Sequence, residues 1–259
     1  MPQRPRRYEL TDFEWSVIAP LLPNKPRGVA RVDDRRVLNG IFWRFRSGSP
    51  WADIPSRYGP PTTCYNRFVR WRAAGVWDRL MDAIVKAHDG KVQMIDSTSV
   101  RVHQHAGNAK RGGRNRCMGR SRGGLTTKLH ALTDARGLPI RVLISEGQAW
   151  DGRYGEQLLD HLRPGTVLLA DRAYDSNELR RQIADRGARP NIPPMPQCRT
   201  HLPFSPKLYR KRNLIERFFS KIKHYRAIAT RYEKSAENYL AAIKLACVRI
   251  WLKYYESVT

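Results

Sequence analysis

Apolar positions recur every three or four residues through the first third of the chain, then give way to runs and alternations. The stretch LTDFEWSVIAPLLP opens with Thr11 at an N-cap position and Glu14 three residues on, a capping-box pair. Leu10 and Trp15 fit the flanking hydrophobic staple, and Pro20 and Pro23 close the helix. In VDDRRVLNGIFWRFRSG, Val37, Ile41 and Phe45 share one helical face and Gly48 marks the stop. SPWADIPSRYGPP reads as turns. TTCYNRFVRWRAAG predicts a third helix ending at Gly75, with Tyr65, Phe68 and Trp71 spaced by three, and VWDRLMDAIVKAHDG a fourth. Residues 1–90 are therefore expected to form a small all-helical domain of the helix-turn-helix kind.

After Gly90 the period changes. KVQMIDSTSVRVH predicts a strand from about Val92, and LTTKLHALTDARGLPIRVLISEG two strands around the turn DARG. DGRYGEQLLDHL reads as a helix, TVLLAD as a short buried strand, NELRRQIADRG as a helix and ARPNIPP as one more short strand. A long helix is expected over Lys207–Tyr225 and a last one over Ser235–Tyr255. Three early strands followed by alternating helices and strands predict an α/β class, a mixed sheet with helices packed on it, over residues 91–259. The segment RGGRNRCMGRSRGG (residues 111–124) cannot supply a core and is expected to be a flexible loop.

Charge narrows the partner. The chain has 259 residues with 48 Lys and Arg against 23 Asp and Glu, a net charge of +25. Such an excess, spread over both parts of the chain, points to a polyanion, above all double-stranded DNA. Arg67, Arg70 and Arg72 decorate the third helix, and Arg111, Arg114, Arg116, Arg120 and Arg122 the Arg/Gly stretch; both sets are candidate phosphate contacts. A membrane partner is disfavoured: no apolar run is long enough to span, no apolar signal core follows Met1, and Pro2 replaces the glycine of a myristoylation site. Cys64, Cys117, Cys198 and Cys247 lack zinc-finger spacing and suit a reducing cytoplasm.

The acids then separate into groups. Asp151 and Asp175 precede helices and read as caps, and Asp134 falls in a hairpin turn. Asp96 and Asp171 instead end the apolar runs VQMID and VLLAD, which places a carboxylate at the mouth of each buried strand. If the strands are neighbours, the two carboxylates repel and call for a cation, and Mg²⁺ suits such oxygen ligands. In YRKRNLIERFFSKIK, an ideal helix at about 100° per residue brings Tyr209, Arg212, Glu216 and Lys223 onto one arc. Leu214, Ile215, Phe218, Phe219 and Ile222 fall on a separate apolar stripe. Glu216 thus reads as a third metal ligand set among phosphate-binding cations; its alternative is a surface pair. His103, His105 and His130, near the first strands, read as packed or exposed residues rather than site groups.

IDSTSVRVH, LLADRAYDS and YRKRNLIERFFSKIK resemble the three acidic motifs of bacterial insertion-sequence DDE transposases, the IS-five group in particular. The last stretch carries the family signature Tyr-x2-Arg-x3-Glu-x6-Lys without a departure. The N-terminal helical segments resemble the same family, so the resemblance spans nearly the whole chain. It implies a ribonuclease H-like catalytic domain with Asp96, Asp171 and Glu216 as catalytic triad and ligands of two divalent ions, Mg²⁺ or Mn²⁺. It further implies Tyr209, Arg212 and Lys223 on the DNA, cleavage at terminal inverted repeats with 3′-hydroxyl transfer to target DNA, and a homodimer on DNA in a bacterial cytoplasm. A ribonuclease H-like nuclease without strand transfer and a non-catalytic DNA-binding repressor remain the alternatives.

Overall fold

The computed structural model describes residues 6, 8–23, 31–86, 90–107, 116–197 and 202–258. Arg111 and Arg114 lie outside them. In chain order the helices are α1 (Asp12–Ile18), α2 (Asp34–Ser47), α3 (Pro61–Ala73), α4 (Val76–Val85), α5 (Gln104–Gly107) and α6 (Asp151–Leu158). They continue as α7 (Asn177–Asp185), α8 (Pro206–Tyr209), α9 (Asn213–Lys223), α10 (Arg226–Ala229) and α11 (Ala236–Val258). The strands are β1 (Val92–Val102), β2 (Gly119–Ser121), β3 (Gly124–Asp134), β4 (Pro139–Glu146), β5 (Val167–Leu169), β6 (Arg189–Asn191) and β7 (Thr230–Arg231). The chain divides into two compact units, Met1–Lys86 with Ile222–Thr259, and Ala87–Lys221.

The first unit is helical. The capping box of α1 is formed in both directions: Glu14 N donates to Thr11 Oγ1 at 3.0 Å, and Thr11 N donates to Glu14 Oε2 at 3.0 Å. Asp33 caps α2, and Gly48 ends it in the left-handed region at φ 75°. Val37, Ile41 and Phe45 are fully buried, as their spacing requires. Around them Trp51, Phe68, Trp71 and Trp77 meet edge-on, tilted or stacked. The sequence pattern assigns the C-terminal helices to the second domain, and here the structure differs. Leu245, Val248, Trp251 and Leu252 bury the apolar face of α11, which packs on α4 and α1. Tyr255 Oη donates to the Ile84 carbonyl at 2.8 Å, and Lys244 pairs with Asp78.

The second unit is built on a mixed sheet of order β2-β3-β1-β5-β6, with β4 also on β3. β1 and β4 run antiparallel to β3, whereas β1, β5 and β6 run parallel. Three antiparallel strands followed by parallel additions, with α6 and α7 intervening, make the expected ribonuclease H-like α/β arrangement. Pro190 is tolerated because β6 ends the strand order. At the β3–β4 turn, Asp134 accepts the amides of Arg136 and Leu138 at 2.9 and 2.8 Å. Gly137 follows at φ 75°, where a Cβ would lie 2.6 Å from the Leu214 carbonyl oxygen.

Four local expectations are corrected. The long helix expected over 207–225 is broken: α8 gives way to a 3-10 turn, Arg210–Arg212, before α9 begins at Asn213. The end of the Arg/Gly stretch is ordered, since β2 pairs with the start of β3 and backbone hydrogen bonding needs no apolar side chains. Asp151 is the first residue of α6 rather than its cap; Trp150 holds that position, and Asp151 pairs with Lys128 at 3.2 Å. Asp175 does not cap α7 either. Ser176 accepts the Leu179 amide instead, while Asp175 binds Arg180 Nε at 2.7 Å and the Met195 amide at 2.6 Å.

Candidate active site

The site starts from sheet register. Met94 of β1 faces Leu169 of the parallel neighbour β5. Asp96 lies two residues beyond Met94, and Asp171 two residues beyond Leu169. Residues separated by two point to the same face of a strand, so both acids belong to one end of this strand pair. Asp96 is still in β1 and opposes Ala131 of β3. Asp171 has left β5 and does have a turn to cap, which its place after an apolar run does not suggest: its Oδ1 accepts the Ala173 amide at 2.9 Å, opening the turn Arg172–Tyr174.

Asp96 is 9% exposed. Burial pushes its carboxyl up to about 6; the Arg212 guanidinium and the Ser97 amide oppose the rise, and the Asp171 carboxylate adds to it. Tyr174, buried just after Asp171, has its phenol held protonated by burial and by the carboxylates of Asp151, Asp96 and Asp171. Three acids therefore share one electrostatic neighbourhood around this phenol. Tyr174 and Asp151 carry no motif signal for this in the sequence, because it arises only when α6 and the β5 turn meet over β1.

Glu216 reaches Asp96 through an arginine. Arg212 Nη1 donates to Asp96 Oδ2 at 2.5 Å, and Arg212 Nη2 to Glu216 Oε1 at 2.8 Å. The same guanidinium lies 5.7 Å from the Tyr209 ring centroid. Tyr209, Arg212 and Glu216 are thus brought together as the sequence arc anticipates, although the helix between them is interrupted. The stripe also holds: Ile215, Phe218, Phe219 and Ile222 are buried. Lys223 falls beyond the boundary between the two units, and burial lowers its ammonium pKa. Among the described residues, no three His, Cys, Asp or Glu side chains are grouped closely enough to hold a metal ion. The donors nevertheless suit a hard divalent cation: two carboxylates whose charges repel each other, with a third tied to the first.

An open cleft of about 690 Å³ is lined by Arg172, the residue after Asp171, and by Pro193, Phe204, Pro206, Tyr209 and Arg210. Two cations, Arg172 and Arg210, and two aromatic rings, Phe204 and Tyr209, line it. The other candidate contacts divide. Arg70, Arg120 and Arg122 are exposed, and Arg72 and Arg116 half-buried. Arg67 is withdrawn from the surface: it is buried, pairs with Asp34, and stacks 5.1 Å from the Trp71 centroid. Helical spacing alone cannot distinguish such an internal cation from its exposed neighbours. His130 is packed, with Nε2 at 2.8 Å from Ser145 Oγ and Tyr154 stacked at 4.5 Å. Burial pushes its pKa down to about 4, so it is neutral at pH 7. His103 and His105 stack on each other at 5.0 Å.

Comparison with known proteins adds independent findings. Residues 87–251 match the family model described as transposase DDE domain, and residues 10–81 match one described as putative transposase of the IS4/5 family. A putative transposase for insertion sequence element IS6501 of Brucella ovis is 39% identical over 130 residues, covering 50% of this chain and 100% of that protein. A putative transposase for insertion sequence element IS402 of Burkholderia cepacia is 30% identical over 135 residues, covering 48% of this chain and 62% of that protein. Among solved structures, a piggyBac transposase synaptic complex with hairpin DNA superposes with a TM-score of 0.44 at 11% identity, over 95% of this chain and 71% of that one.

Proposed function

Because the chain belongs to the transposase DDE-domain family, we propose that it cleaves DNA at insertion-sequence ends and joins the freed 3′-hydroxyl to target DNA, with Asp96, Asp171 and Glu216 as its catalytic acids. One observation carries the assignment: Asp96 lies within β1 and Asp171 just beyond its parallel neighbour β5, each two residues past the paired Met94 and Leu169, and one guanidinium joins Asp96 to Glu216. Two divalent ions, Mg²⁺ or Mn²⁺, held by these acids would supply Lewis-acid activation of the attacking oxygen and charge stabilisation at the leaving one.

The chain's own residues do the rest. Asp96, in a desolvated position, is ionised at neutral pH but only as long as a cation compensates it. Tyr174 provides a protonated, buried floor beneath the acids and keeps water from that side. The cleft of Arg172, Phe204, Tyr209 and Arg210 guides the scissile strand past Asp171, rings stacking on bases and guanidinium groups gripping phosphates. Arg212 and Lys223 add phosphate contacts. Arg70 and Arg72 of α3, with Arg116, Arg120 and Arg122, hold flanking duplex through the backbone. Arg67 has no part in this. Two copies bring two ends together on DNA in the bacterial cytoplasm.

The test is a duplex carrying one insertion-sequence end, incubated with purified protein and Mg²⁺. Wild type should nick it and, given a pre-cut 3′-hydroxyl, join it to a second duplex. Asp96→Asn, Asp171→Asn and Glu216→Gln should each abolish both steps while the duplex still shifts in a gel. Nicking without joining would favour the nuclease reading; activity in any of the three variants would remove that acid from the site.

A further inference from the structure

The guanidinium of Arg212 occupies the space between two acids assigned to metal. We infer that Arg212 is a stand-in cation that closes the acidic site until a DNA phosphate draws it away, so that DNA and divalent metal strengthen each other's binding. The inference rests on the site reading above and adds an order of assembly to it.

The argument is one of charge and geometry. Arg212 spends its two terminal nitrogens on acids from different elements, Asp96 of β1 and Glu216 of α9. The Arg212–Asp96 pair is largely withdrawn from water, with side-chain exposures of 17% and 12%. In such surroundings a carboxylate oxygen cannot serve the guanidinium and a divalent ion together, because the two cations would repel at close range in a weakly screening medium. Metal must therefore displace Arg212, and a displaced guanidinium without an anion is costly. A phosphodiester is the replacement that fits, since it offers the planar fork two oxygens as a carboxylate does. It also arrives at the right place. Arg212 ends the 3-10 turn Arg210–Arg212, where Arg210 and Lys211 are exposed, and Arg210 lines the same cleft as Arg172, the residue after Asp171. A phosphate attracted to this turn meets Arg210 and Lys211 first and Arg212 next. Glu216, 56% exposed, is freed by the same movement. By linkage, whatever factor DNA adds to metal affinity, metal adds to DNA affinity.

The experiment is Mn²⁺ titration followed by the paramagnetic resonance signal of free Mn²⁺, with and without a short DNA duplex whose own uptake is subtracted. Wild type should bind Mn²⁺ at least about tenfold more tightly when DNA is present. Arg212→Gln should bind Mn²⁺ at least about tenfold more tightly than wild type without DNA, and DNA should then add less than about twofold. Arg212→Lys, which keeps one charge but cannot span both acids, should fall between them. A wild-type affinity indifferent to DNA overturns the inference, and so does an Arg212→Gln protein no tighter than wild type. Equal DNA enhancement in both proteins also overturns it, because a phosphate acting merely as an extra ligand would produce that. The wild-type comparison needs no variant to fold. Asp96→Asn separates the two levels: it should abolish Mn²⁺ uptake if the site is as assigned, and unchanged uptake would mean that the site reading, rather than the linkage, is wrong.

Discussion

Two arginines in this molecule each grip a carboxylate, and they do so for opposite ends. In the helical unit, Arg249 binds Glu14 at 3.2 Å through both Nε and Nη2, with side-chain exposures of 5% and 0%. Its remaining donors reach the Tyr8 and Glu9 carbonyls at 2.5 Å, and its face covers Phe42 at 4.7 Å. Glu14 in turn closes the α1 capping box. Both members of that knot are fully engaged, so it fastens α11 to α1 and does nothing else. Arg212 in the sheet unit is the opposite case. It bridges one buried acid and one exposed acid, and two exposed cations precede it. A closed ion pair is architecture; one with an exposed acid on its open side has room to exchange partners.

The comparison can be broken most decisively at the acids. Asp96→Asn, Asp171→Asn or Glu216→Gln should lower DNA cleavage, counted per folded molecule, by at least about a thousandfold, or about 4 kcal/mol of transition-state stabilisation. Should cleavage stay within a few fold, the open cluster would be no more functional than the closed one. On the closed side, Glu14→Gln can keep the capping box, since a Gln oxygen also accepts the Thr11 amide, but it leaves the buried Arg249 guanidinium without its counter-charge. It should cost about 3–5 kcal/mol of stability, read by urea denaturation, with cleavage per folded molecule unchanged.

A milder test concerns His130. Burial holds its pKa in the folded protein at about 4, below the ordinary imidazole value of 6.5, so between those values the unfolded chain binds the extra proton. The contribution of His130 should therefore fall as pH drops from 6.5 towards 4, by about 1.4 kcal/mol for each pH unit crossed, whereas Asp96, raised from 3.8 to about 6, contributes a rise of similar slope below about pH 6. The two should nearly offset each other between about pH 6 and 4, and His130→Gln should leave a denaturation curve in which stability rises on acidification across that window. The smallest effect belongs to the rim. Arg120→Ala with Arg122→Ala should weaken duplex binding several-fold and reduce the salt slope by up to about 2, without altering cleavage of saturated DNA.

How far the sequence discloses all this depends on the range of the interaction. Capping at Thr11 and Glu14, the faces of α2 and α9, and the strands around DARG are local, and their residues announce them. The pairing of Asp96 with Asp171 is legible because two apolar runs each end in an acid. The break after Tyr209 is not legible: the 3.6-residue pattern runs through Arg210–Arg212 even though the backbone tightens there. Arg67 passes for a surface cation because its partner, Asp34, lies a helix away. Asp151 passes for a cap because the Lys128 that claims it sits in a strand 23 residues earlier. The grouping of α11 with the N-terminal helices has the same origin, since Arg249 and Glu14 are 235 residues apart.

The turn at Gly137 has an evolutionary consequence. Hairpin tips are ordinarily where a protein absorbs insertions and sequence drift. This one abuts the carbonyl of Leu214, two residues before Glu216, with no space for even a methyl group. A lengthened or bulkier tip would press directly on the first turn of the helix bearing Glu216, so a hairpin tip that looks expendable, with Gly137 and Leu138 buried, limits how closely that helix approaches the sheet.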